Sequence, residues 1–187
     1  MTAQRIDLMQ EFVELSRHED LLAVCACTLA VPGATLSGLC RFSKPRRDPS
    51  RFNYLSVTFM VDVPSDASVA AVDAALDRLG DGDLQRAVSV IHEVVPTPRL
   101  VSEGGNYVRQ VDLMLDARVD PGREFLSDRL LPTLSRLVPL SVVDVIWWGE
   151  ADTAVPHSPA ADAQKPASLL DRLRALVARA GGGSTQG

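Results

Sequence analysis

Cys25-Ala26-Cys27, together with Cys40, is the set of residues in this chain whose types and spacing come nearest to a chemical site. Residues two apart on a strand point to the same face. If the segments Leu21 to Val31 and Ala34 to Ser43 pair across Pro32-Gly33, with Val31 against Ala34, then Cys25 stands opposite Cys40. Three thiols then share a face. Thiolates hold soft metals, and three sulfurs with one histidine from elsewhere make a closed zinc site. The simpler reading is core, because free cysteine behaves as a small buried hydrophobe and metal motifs usually bring compact ligand pairs, of which this chain has none.

Other candidates are thinner. His92-Glu93 joins an imidazole to a carboxylate, but neighbours on a strand face opposite ways and so do not act as a pair. Lys44, Arg46, Arg47 and Arg51 form a basic loop beside Phe52 and Tyr54, a pattern able to meet phosphates and stack on a base. The sheet face next to it reads Tyr54, Ser56, Thr58, Met60 and Val108, Gln110, Asp112, Met114, which is polar and poor in aromatics, so nucleic acid is not expected as a partner. Three scattered histidines, no serine elbow and no glycine-rich phosphate loop give no catalytic residue and imply no cofactor. The turn Glu103-Gly104-Gly105-Asn106 does not change that. Trp147-Trp148 sends one ring inward and the other outward, and Trp148 is a candidate partner anchor.

The strongest recognition pattern lies near the C-terminus. Residues 166–180 carry Leu169, Leu170, Leu173, Leu176 and Val177 on one helical stripe, with Asp171, Arg172, Arg174 and Arg179 off it. Residues 151–165 (ADTAVPHSPAADAQK) lose all periodicity and read as a linker, and 181–187 (GGGSTQG) read as a disordered tail. A lone helix of this length is marginal in water, so it is expected to order on a protein partner, on its own domain, or on its copy in a homodimer.

Residues 1–150 must supply the body that presents these groups. Of the 187 residues, 46% are hydrophobic and 23% charged, as in globular chains, and no apolar run reaches a membrane-spanning length. An odd number of cysteines (three), no secretory leader pattern and a net charge of −5 lead to the expectation of a soluble, cytoplasmic protein with free thiols and no global attraction to nucleic acid or anionic lipid. Ile6, Met9, Phe12, Val13 and Leu15 predict an N-terminal helix, and the segments flanking Pro32-Gly33 predict a hairpin with a type II turn that can exceed two residues. Leu55, Val57, Phe59, Val61 and Val63 alternate with polar neighbours and mark a strand. Val69, Val72, Leu76 and Leu79 mark a helix behind Ser65, Ala87 to Val95 a strand, Tyr107 to Ala117 a strand, Phe125 to Leu137 a helix kinked by Pro132, and Val142 to Trp148 the last strand. From Tyr54 onward this is the order of a ferredoxin-like βαββαβ antiparallel sheet with two helices on one face, preceded by an N-terminal helix and β-hairpin that extend the sheet or cover its open face.

The expected function is therefore that of a non-enzymatic adapter or regulatory protein binding a protein partner through the tethered helix. A small-molecule or metal sensor built on Cys25, Cys27 and Cys40 is the alternative.

Overall fold

Alternating apolar and polar side chains from Leu55 to Val63 make a strand with two different faces, and the strands on either side continue both of them. The computed structural model describes residues 19–45, 52–101 and 105–147. Seven strands form one open sheet: β1 (Glu19–Val31), β2 (Ala34–Pro45), β3 (Phe52–Asp62), β4 (Ile91–Pro96), β5 (Leu100–Val101), β6 (Asn106–Asp116) and β7 (Leu140–Trp147). The order across the sheet is β4-β6-β3-β2-β1-β7, with β5 also on β6, and every pairing is antiparallel.

This order corrects the ferredoxin-like expectation. The chain does alternate strands and helices as predicted beyond Tyr54, but β1 and β2 are wedged between β3 and β7, where a ferredoxin-like sheet pairs its first and last strands directly. The reason lies in β1. Ala23, Val24, Cys25, Ala26 and Cys27 are apolar on both faces and all buried, which suits an interior strand and leaves nothing for an exposed edge.

The β1–β2 turn is tighter than expected. Val31 pairs with Ala34, and Gly33 at φ +81 takes the left-handed position that follows proline in a type II turn, so two residues suffice. Where β2 passes β3, Gly38 sits opposite Val61; a Cβ there would lie 2.6 Å from the Met60 carbonyl oxygen, so only glycine fits.

Helix α1 (Asp66–Asp77) starts at Ser65, whose Oγ accepts the Ser68 N–H at 3.2 Å, and buries Val72 and Leu76. A 3-10 turn (Arg78–Gly80) leads to the short helix α2 (Asp83–Ala87), whose last residue is the first of the strand expected over Ala87 to Val95. Leu84 and Val88 obey the helical spacing and are buried, so the strand begins only at Ile91. Strand β5 lies between the two strands expected over Ala87 to Val95 and Tyr107 to Ala117.

Residues 123–137 form helix α3, made of Arg123–Phe125, a π-helical stretch Leu126–Leu130 and Leu131–Leu137. Pro132 has no N–H to offer the preceding turn and its ring needs space there, so the expected kink takes the form of a widened turn. Among the described residues no helix is long and apolar enough to cross a membrane.

All three helices bury their apolar sides in one cluster against the sheet face that carries Cys25, Cys40, Phe42, Val57, Phe59, Val111 and Leu113. The opposite face carries a second buried cluster of Val24, Ala26, Leu39, Met60 and Ile146, beside the buried polar residues Arg41, Ser43, Ser56, Thr58 and Asp112.

Candidate functional site

The thiols come together as their register requires. Cys25 is paired with Cys40 across the hairpin, Cys27 follows two residues on, and all three are free and buried on the helix-covered face. Burial in that apolar cluster pushes Cys25 and Cys27 up to about 12 and Cys40 well above its ordinary value, with the neighbouring thiols adding to the effect on Cys25 and Cys40. Such surroundings favour the neutral thiol, whereas metal binding and nucleophilic attack need the thiolate. No group of metal-ligating side chains stands together among the described residues.

His92 and Glu93 are both exposed on β4. The register of β4 on β6 slips between Ile91 and Glu93, leaving His92 at a bulge, where its ring stands edge-on to Phe52 with centroids 5.3 Å apart. From the basic loop, Lys44 is tied to Asp120 at 2.7 Å, while Arg46, Arg47 and Arg51 lie outside the described residues. Tyr54 directs its hydroxyl to the Met114 sulfur at 3.7 Å. Trp147 is half-buried on the helix-covered face, with the Arg123 guanidinium 5.0 Å from its ring centroid. Trp148, Leu169, Leu170, Leu173, Leu176 and Val177 lie outside the described residues.

One polar constellation was missed by the sequence reading. Asp73 and Asp77 are one helical turn apart on α1 and face β6. Tyr107 donates its phenolic hydrogen to Asp73 Oδ1 at 2.6 Å, Arg99 pairs with Asp73 Oδ2, and Arg109 reaches Asp77 at 2.8 Å and Asp73 at 3.6 Å. A shallow cleft of about 390 Å³ runs along this side of α1, lined by Asp66, Val69, Ala70, Asp73, Asp77 and Arg99 among others. The signal for it was parity: Tyr107 and Arg109 continue the buried row of Val111, Leu113 and Leu115, so a charge falls where an apolar residue is the rule.

The electrostatics of this cluster are those of a clasp. Burial raises the Tyr107 phenol, although hydrogen bonding to Arg109 and the nearby guanidinium charges pull it partly back. Burial works to lower Arg109, but its bonds to Asp77 and Tyr107 outweigh that and hold it above its ordinary value. Two carboxylates and two guanidiniums neutralise one another, and the phenol stays protonated. The arrangement fixes α1 to β6.

Comparison of the chain with protein-family models, with curated proteins and with solved structures finds no match.

Proposed function

We propose that this protein is a non-enzymatic adapter or regulatory protein that captures a protein partner through residues 166–180. The observation that carries this reading is the stripe Leu169, Leu170, Leu173, Leu176 and Val177, set behind the aperiodic residues 151–165. Its placement gives the linker the task of reach and the stripe the task of contact. The described body adds support of a different kind, for the polar cluster of Asp73, Asp77, Tyr107 and Arg109 is spent on holding α1 to β6.

The test is capture from cell lysate with the full chain as bait, beside a full-chain variant carrying Leu169→Asp, Leu173→Asp and Leu176→Asp. A protein or assembly enriched by the native chain and lost with the variant is the expected result. Identical captures by both baits would refute the reading. A loss confined to self-association would make the partner a second copy of this chain.

The second reading, a sensor at Cys25, Cys27 and Cys40, draws on the pairing of Cys25 with Cys40. The raised thiols weigh against it. Stoichiometric zinc in chelator-free protein would restore it.

A further inference from the structure

The three described helices all pack on the face of the sheet that carries the thiols. A sheet face with nothing above it leaves its side chains in contact with water. The opposite face is nevertheless closed: Val24 and Ala26 are 0% exposed, Arg41 1% and Met60 3%. Arg41 lies flat enough to donate from Nη2 to Thr58 Oγ1 at 3.4 Å, and Ser56 and Gln110 donate to Asp112 Oδ1 at 2.7 and 2.8 Å. Side chains of this size are hidden only when something lies over them, and among the described residues no element does.

We propose that residues 1–18 are the cover of this second face. Connectivity is the first argument. The segment runs directly into β1, where Leu21 already packs against the second cluster, so docking closes almost no loop and costs little chain entropy. Apolar pattern is the second. Ile6, Met9, Phe12 and Val13 recur on one side at helical spacing and match a target of Val24, Ala26, Leu39, Met60 and Ile146.

Charge decides between this segment and the other long one outside the described residues. A buried guanidinium requires carboxylates or carbonyls around it, and like charge beside it is costly. Residues 1–18 contain Asp7, Glu11 and Glu14, against Arg5 and Arg17. Residues 166–180 contain Arg172, Arg174 and Arg179 with the single acid Asp171, a net positive charge that disfavours this segment over a face holding the buried Arg41. The N-terminal segment therefore completes the fold as a third layer and leaves the C-terminal stripe free for other contacts.

Met60 lies under the proposed cover and reports on it, because methionine oxidation follows exposure. The full chain is treated with dilute hydrogen peroxide and the Met60 peptide is followed by mass spectrometry, in parallel with full-chain variants Phe12→Asp and Leu173→Asp. Several-fold faster oxidation in Phe12→Asp, with Leu173→Asp matching the native chain, is the expected result. Acceleration in Leu173→Asp, alone or together with Phe12→Asp, or in neither variant, would overturn the proposal. Should Phe12→Asp lose its circular dichroism, the milder Phe12→Ala is read in the same way.

Discussion

Cys25, Cys27 and Cys40 show how a group able to do chemistry becomes part of a core. Each thiol is ordinarily acidic near 9.0, yet Cys25 and Cys27 are held near 12 by burial. An unfolded chain releases these protons first as pH rises, so the folded state binds more protons and loses stability between pH 9 and about 12, while below 9 the thiols add no pH dependence. Denaturation midpoints measured across that window should fall steadily, and the native chain at pH 8 should resist alkylation until it is unfolded. A comparable argument applies to Tyr107, whose bond to Asp73 at 2.6 Å is a part-buried, charge-assisted one. Tyr107→Phe should cost about 1.5–3 kcal/mol in denaturant unfolding, the range for hydrogen bonds to charged groups.

Within the elements, backbone geometry sets the tolerances. Gly38→Ala places a methyl group against the Met60 carbonyl and should destabilise the chain by about 1–3 kcal/mol, the ordinary cost of overpacking, since a backbone oxygen inside a sheet cannot step aside. Ser65→Ala removes the acceptor for the Ser68 N–H and should cost about 1 kcal/mol, read as a lower thermal midpoint without change of fold. The strands were legible because side-chain alternation is local: β3 and β6 fall where Leu55 to Val63 and Val111 to Leu115 put them. The stretch from Leu84 to Val95 was not, because its residues satisfy a helical stripe and β propensity at once, and the structure uses each in turn, helix to Ala87 and strand from Ile91. Tyr107 and Arg109 were also legible in principle, as the polar members of an apolar row, but Asp73 becomes their partner only after α1 is laid across β6.

Strand order belongs to the whole molecule, and local pattern carries little of it. Alternation tells which residues make strands; it does not tell which edges meet, and so the hairpin was placed beside a ferredoxin-like unit when it lies inside the sheet. The unbroken run Ala23 to Cys27 was the one hint that β1 is interior. Because β7 packs Trp147 against the common core and pairs along β1 from Ala23 to Leu29, its unfolding should coincide with that of the sheet. In a Trp148→Phe variant, where Trp147 is the remaining tryptophan of the two, its fluorescence and the far-ultraviolet circular dichroism should give one denaturation curve; a separate early transition in fluorescence would show β7 to be an independent unit.

The wedged hairpin also sets a timetable for synthesis. β1 leaves the ribosome well ahead of β7, and β2 follows at once to occupy one of its sides, but the strand that occupies the other begins only at Leu140. Throughout translation of the intervening residues β1 carries an apolar edge with open backbone hydrogen-bonding groups, the form of surface to which stray strands add. A chain halted before Leu140 would keep that edge permanently, so premature termination in this gene would yield products prone to aggregate rather than shorter functional domains.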